Sequence, residues 1–234
     1  MNHELLIEQF FESLINGDRH GSRQIVQHAL NDAEKPEHVI TDLFWPAYEK
    51  VDNLYRHDQL SHLGFNFATR LLRMLVDQNA AAYEIPAPTR RSVFAACGPN
   101  DADELGAQMA VDLLETSGFQ VNFAGGGIPG DEILAQVHEH KPDVLLLFAS
   151  APSDLPDIRH MIDSIREIGA VPDLQVVVGG GVFNRADGLA EEIGADLWSS
   201  NPIDLVDRMI EDADRRATED QRTVGRKHRN KAAA

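Results

Sequence analysis

Hydrophobic residues recur at helical spacing through the first third of the chain and change to strand-like runs after residue 91. Leu5, Leu6, Phe10, Leu14 and Ile15 line one face of a first helix. Gly17 to Gly21 interrupts the pattern, and Ser22 is placed to cap a second helix through Ile25, Val26 and Leu30. A third begins near Glu34-Lys35-Pro36 and carries Val39, Ile40, Leu43 and Phe44; Pro46 caps or kinks it ahead of Val51, Leu54 and Tyr55. A fourth runs from about Ser61 through Phe65, Phe67, Leu71, Leu72, Leu75 and Val76. Short connections between such helices predict an all-α bundle over residues 1–82.

Residues 83–91, with Pro86-Ala87-Pro88, read as a linker. Beyond it strands and helices alternate. Strands are expected at Ser92–Cys97, Gln120–Ala124, Val144–Ala149, Gln175–Val178 and Asp196–Trp198. Helices are expected at Ala102–Ser117, Gly130–His140, Ile158–Ile168, Ala186–Ile193 and Ile203–Ala213. The unbroken apolar run from Val144 marks a strand buried on both faces. The alternation predicts an α/β fold, a doubly wound parallel sheet over residues 92–213, followed by a basic tail at 214–234.

Charge narrows the partners. The formal net charge is -17, which repels phosphate backbones, so the folded parts are not expected to bind nucleic acid. The stretch 215–231 is the exception, with Arg226-Lys227-His228-Arg229; it reads as a solvated, frayed end or as a docking arm for an acidic partner or for nucleic acid. No apolar run reaches the roughly 20 residues that cross a bilayer, and the first residues lack a secretory pattern, so no membrane role and a cytoplasmic location are expected. The single cysteine, Cys97, ends an apolar strand and is expected to be a small buried side chain. Trp45 and Trp198 are assigned to the core. No nucleophile has a credible base, no Cys/His set has zinc spacing, and no phosphate loop is present, so no catalytic residue and no metal site are assigned.

The most informative stretch is Phe94 to Gly106, read as a buried strand, a tight turn and the start of a helix. It contains Asp101-x-Asp103-x-x-Gly106. With it stand Gly118-Phe119-Gln120-Val121, Gly125-Gly126-Gly127-Ile128-Pro129, Lys141-Pro142-Asp143-Val144, Val178-Gly179-Gly180-Gly181 and Ile193-Gly194-Ala195-Asp196. Together these resemble the cobalamin-binding modules of methionine synthase, of methyltransferase corrinoid proteins and of light-sensing cobalamin regulators, over nearly the whole chain. The resemblance implies an N-terminal helical bundle cap and a Rossmann-like domain, with cobalamin as cofactor. It implies that Gly179, Gly180 and Gly181 border the channel for the cofactor's nucleotide tail, that Ser150 is the nearest candidate to meet that tail, that Gly126 is a further cofactor-binding position, and that Asp101, Asp103 and Gly106 lie below the cobalt. In an open parallel sheet ligands bind beyond the carboxyl ends of the strands, where these loops follow.

The family carries His where this chain has Asp103, and Asp101 would otherwise orient that His. An Asp at 103 is able to hydrogen-bond a water, bind a small hard cation, or cap the helix N-terminus; two carboxylates one turn apart would also repel, one holding a proton near neutral pH. Light-sensing members carry Trp and Glu-His over the upper face; here Tyr55 stands for the Trp, and Phe65 and Asn66 for the pair. Tyr55 packs either core or a flat ligand. His57 and His62 are the nearby imidazoles, with haem as the alternative tetrapyrrole; His138 and His140 fit a helix C-terminus. The expected function is a non-catalytic sensory or regulatory protein binding cobalamin base-on, with a regulatory protein partner and a possible homodimer. The alternatives are a corrinoid carrier for a methyltransferase and a ligand-free scaffold.

Overall fold

The computed structural model describes residues 3–99, 101–218 and 220–222, and for Asp101 and Ala102 the backbone alone. The chain forms two compact units, one of residues 1–90 with 100–121, the other of 91–99 with 122–234.

The first unit opens with α1 (His3–Ile15), whose Phe10 and Phe11 are buried one helical turn before the buried Leu14. Leu5 does not join that face; it is 48% exposed. α2 (Arg19–Asp32) starts earlier than the sequence pattern suggested. Its N-cap is Asp18, whose carboxylate accepts from the amides of His20 and Gly21. Ser22, expected as the cap, is instead fully buried, its hydroxyl 2.8 Å from that of Ser13 on α1. A π-turn at Ile40–Phe44 then runs into α3 (Trp45–Arg56). Pro46 is the reason: it lacks the N–H that would bond the Asp42 carbonyl, so the backbone widens just before it. α4 (His62–Ala80) is capped by the Ser61 hydroxyl, which accepts from the Gly64 amide. Phe10, Ile40, Leu43, Phe44, Leu72, Leu75 and Val76 fill the interior, with the Phe10 and Phe44 rings 6.0 Å apart. Phe67, read as part of the buried face of α4, is 43% exposed. α5 (Asp101–Thr116) belongs to this unit and packs on α4.

The second unit is built on a five-stranded sheet in the order β2-β1-β3-β4-β5, where β1 is Ser92–Cys97, β2 Gln120–Gly126, β3 Val144–Phe148, β4 Gln175–Gly179 and β5 Leu197–Ser199. β1, β3, β4 and β5 run parallel, with Ala95 beside Leu146 and Leu146 beside Val177. Every residue of β3 and β4 is buried, as a continuous apolar run requires. The alternate positions Phe94, Ala96, Leu145, Leu147, Val176 and Val178 share one core cluster with Val137 of α6 (Gly130–His140), Ile162 of α7 (Leu155–Ile168) and Ile193 of α8 (Leu189–Ile193). α9 (Pro202–Glu211) closes the order and packs on β5. The fold class is therefore the expected one: an N-terminal helical bundle with a Rossmann-like parallel sheet. α8 is shorter than expected; Gly188, at φ 78°, holds a turn ahead of it.

Residues 215–218 and 220–222 are tied to the second unit. Ala217 N–H donates to Asp196 Oδ1 at 2.6 Å, and Gln221 Nε2 donates to the carbonyls of Glu191 and Ala195, both at 3.0 Å. Arg222 donates to the Ile193 carbonyl and pairs with Asp163 at 2.5 Å. The remainder of the basic stretch, 223–231, lies outside the described residues. Among the described residues no helix is long and apolar enough to cross a membrane.

Candidate functional site

The strand order reverses direction beside β1, so the crevice between the carboxyl ends of β1 and β3 is the switch point where an open sheet accepts a ligand. Backbone groups knit this edge: Gly98 N–H donates to the Phe148 carbonyl at 2.9 Å, Ala149 N–H to the Gly179 carbonyl at 3.0 Å, and Val182 N–H to the Ala149 carbonyl at 3.3 Å. Ser150 follows β3 directly and is half-buried. Gly179 ends β4 against the Phe148 ring, 3.1 Å from the position of a Cβ. Gly180 takes φ 104°, and a side chain there would collide with the Ala149 carbonyl oxygen. Gly126 ends β2, where a Cβ would collide with the Gly98 carbonyl. The structure thus brings Ser150, Gly179, Gly180 and Gly181 together at the β3–β4 edge, and sets Gly126 against Gly98 at the β1–β2 edge. What this edge offers is backbone amides, carbonyls and small side chains. Cys97 is half-buried beside it rather than fully enclosed.

The remaining candidates lie in the first unit and form two groups. At the start of α5, Asp103 is 7% exposed. Gly106 follows it by three residues and so lies on the same helix face. Tyr48 of α3 comes to that face: its Cε1 and hydroxyl are both 3.9 Å from the position of a Cβ at Gly106. Burial, followed by the carboxylates of Asp52 and Asp103, pushes the Tyr48 hydroxyl above the ordinary phenol range, against the opposing Arg56 guanidinium. Asp52 and Arg56 pair at 2.6 Å, and Arg73 of α4 lies 3.0 Å from Glu104. The Asp101 side chain lies outside the described residues.

The second group is the corner between α3 and α4. Tyr55 stacks on Phe65 with ring centroids 4.0 Å apart and planes at 20°, and its hydroxyl is 2.8 Å from Nδ1 of His62. Asn66 is exposed on the next position of α4. His57 is exposed, its Nδ1–H donating to the Asn53 carbonyl at 2.7 Å. Trp198 is half-buried, its Nε1–H donating to Glu191 at 3.1 Å. Among the described residues no group of three or more His, Cys, Asp or Glu side chains is arranged to hold a metal ion.

Tyr48 and Arg73 went unmarked in the sequence. Each belongs to a helix that reads as bundle core, and only the missing side chain of Gly106, far along the chain, signals that a ring has room there.

Residues 91–206 match the family model described as B12 binding domain, and residues 6–78 match a second model of the same description. The chain is similar to dimethylamine corrinoid protein 1 of Methanosarcina acetivorans, 27% identical over 106 residues, covering 45% of this chain and 49% of that protein. The match therefore spans about half the length of that relative. It is also similar to the dimethylamine corrinoid protein of Methanosarcina barkeri, 20% identical over 212 residues, covering 88% of this chain and 96% of that protein. Among solved structures, the monomethylamine corrinoid protein of Methanosarcina barkeri superposes with a TM-score of 0.69 at 16% identity, over 89% of this chain and 98% of that one.

Proposed function

We propose that this chain, which belongs to the family of B12 binding domains, is a corrinoid carrier that presents its cofactor to a methyl-transferring partner enzyme. The observation that carries this reading is the agreement of two B12-domain matches, at 6–78 and 91–206, with a small-residue edge at the switch point of the sheet. The similarity to amine corrinoid proteins, which in one case covers 96% of the relative, favours the carrier over a sensory role and gives no support to haem.

The residues present fit a corrinoid at its periphery. Gly126, Ser150, Gly179, Gly180 and Gly181 would border its nucleotide arm, where the glycines let the loops pack closely: the place of a Cβ at Gly126, Gly179 and Gly180 is taken by the Gly98 carbonyl, the Phe148 ring and the Ala149 carbonyl. Tyr55 and Asn66 are the residues proposed for the upper face, with Tyr55 already stacked on Phe65. When bound, the corrinoid supplies a cobalt centre that accepts and releases a methyl group. Position 103 does not fit the family's ligating role. Asp103 is a buried carboxylate beside Tyr48, with no imidazole to offer, and the corrinoid is expected to keep its own base. Asp103 and Gly106 would then shape the lower side without ligating metal.

The experiment is direct. The purified full chain is mixed in the dark with methyl-, adenosyl- and hydroxocobalamin and, separately, haem, then desalted and examined spectroscopically. Retained cobalamin with a base-on spectrum is the expected result. Loss of every cobalamin on desalting would sink the reading. Retention with a base-off spectrum would mean that the cofactor has released its own base, and would overturn the lower-side role given to Asp103. Illumination of the adenosyl-loaded protein is expected to leave its oligomeric state unchanged; a change would return the sensory alternative. Asp103→His is expected to slow cobalamin loss on desalting, with the new imidazole taking the place of the cofactor's own base.

A further inference from the structure

α4 buries one face in the first unit and leaves an ordered stripe on the other. Leu63, Phe67, Arg70 and Met74 stand at steps of four, three and four residues, the spacing of a helix seam that meets a second helix. Leu63 is 63% and Phe67 43% exposed, Arg70 is exposed, and Met74 is half-buried. The Phe67 ring lies over the turn between α1 and α2, 3.4 Å from the position of a Cβ at Gly17.

α2 brings charge to this stripe. Arg19 and Arg23, one turn apart and both exposed, donate to the same atom, Sδ of Met74, at 2.9 and 3.5 Å. A thioether is a weak, uncharged acceptor, so it gathers the two guanidinium groups without neutralising either. Arg70 lies one turn before Met74 on the same face of α4. The other cations of the unit have partners: Lys35 pairs with Glu37, Lys50 with Glu8, Arg56 with Asp52 and Arg73 with Glu104, while Arg90 donates to the Ser117 carbonyl. Among the described residues Arg19, Arg23 and Arg70 have no carboxylate within ion-pair distance. Of the neighbouring acids, Asp18 is engaged in capping α2, and Asp77 stands exposed a turn beyond Met74, at the end of the stripe.

Like charges held together repel, and a carboxylate set between guanidinium groups relieves that repulsion through paired, charge-assisted hydrogen bonds. The apolar half of the stripe selects the kind of acid. A nucleic acid would leave Leu63 and Phe67 uncovered and would meet the repulsion of the whole chain, whose net charge is -17. A second copy would set another body of that charge against this one. A helix of a different protein needs only a local match: apolar side chains at one end and acids at the other. We propose that Leu63, Phe67, Arg70 and Met74 of α4, with Arg19 and Arg23 of α2, form a docking surface for an amphipathic helix of a partner protein, whose apolar residues cover Leu63 and Phe67 and whose carboxylates bridge the arginines. The inference stands without the corrinoid reading.

The probes are labelled synthetic helical peptides with leucine at two successive seam positions and glutamate at two, in either order, titrated onto the full chain and read by fluorescence anisotropy. Control peptides carry lysine in place of glutamate. A glutamate peptide is expected to bind, more weakly as salt is raised, and the lysine peptides are expected not to bind. Arg19→Gln and Arg23→Gln are each expected to weaken binding about tenfold, and Phe67→Ser by a similar factor. Failure of both glutamate peptides to bind, equal binding of the lysine peptides, or wild-type affinity in both arginine variants overturns the proposal. Urea unfolding separates docking from folding. Arg23→Gln is expected to match or exceed the wild type, because the free chain sheds a like-charge contact that serves only binding. A fall of about tenfold or more in its folding constant would make the pair part of the fold and overturn the proposal. Sedimentation velocity and competition identify other occupants. A dimer of the full chain that Arg23→Gln splits would make the occupant a second copy, and displacement of the peptide by an equal concentration of single-stranded oligonucleotide would make it a nucleic acid; either result overturns the assignment to an acidic helix.

Discussion

The phenol of Tyr48 lies 3.9 Å from the point where a side chain on Gly106 would begin. That distance is an ordinary van der Waals contact for a methyl group and leaves no room beyond it. Gly106→Ala is therefore expected to raise stability by about 0.5–1 kcal/mol, because alanine is the better helix former. Gly106→Leu is expected to cost roughly 1–3 kcal/mol through overpacking against the ring. Urea denaturation of both variants reads the difference. If Gly106 also admits a corrinoid, the alanine variant gains stability and yet loses cobalamin faster on desalting, a split that a purely structural glycine would not produce.

Gly180 and Gly127 both take positive φ, at 104° and 72°, but their surroundings differ. A methyl on Gly180 meets the Ala149 carbonyl; one on Gly127 meets nothing within 4 Å. Gly127→Ala is expected to cost about 1–2 kcal/mol, the left-handed penalty alone. Gly180→Ala is expected to cost clearly more and to disturb the β3–β4 edge, so it should also abolish cobalamin retention. Equal losses in paired denaturation curves would show that the edge is more compliant than drawn.

Asp196 is 5% exposed and accepts from the amides of Val176 and Ala217, both at 2.6 Å, and from Arg166 at 2.9 Å. Asp196→Ala leaves two backbone donors and a guanidinium without their acceptor, and a loss of about 2–4 kcal/mol is expected. Asp196→Asn keeps one acceptor oxygen and is expected to lose less. Chemical denaturation ranks the two, and proteolysis after residue 214 is expected to quicken in the alanine variant.

Tyr55 joins a ring stack to a hydrogen bond with His62. Tyr55→Phe keeps the stack and is expected to cost no more than about 0.5–1 kcal/mol, the net worth of one exposed hydrogen bond. Tyr55→Ala is expected to cost about 1–3 kcal/mol. If the ring also touches a corrinoid, the visible spectrum of the loaded protein moves in the alanine variant and stays put in the phenylalanine one.

Periodicity carried most of the architecture. The apolar run Val144–Phe148 and the neighbouring Gln175–Gly179 are fully buried strands, and the change from helical to alternating pattern after residue 91 marks where the sheet starts. Local chemistry carried less. Asp18 outcompeted Ser22 for the α2 cap because both are good acceptors and only the Gly17 turn, at φ 68°, decides which one the chain presents. The attachment of Ala217, Gln221 and Arg222 left no apolar trace, since they are held by hydrogen bonds to Asp196 and to carbonyls of the α8–β5 region. Tyr48 was illegible for a similar reason. A ring on one helix and a vacancy on another, 58 positions apart by their numbers 48 and 106, imprint no shared period.

α5 and β1 adjoin in sequence yet belong to different compact units, and the chain passes between those units three times, near residues 90, 99 and 121. Scission at the proline-rich stretch would consequently yield two fragments, neither autonomous: the amino-terminal piece would lack its fifth rod, and the carboxy-terminal piece would carry that rod stripped of its partners.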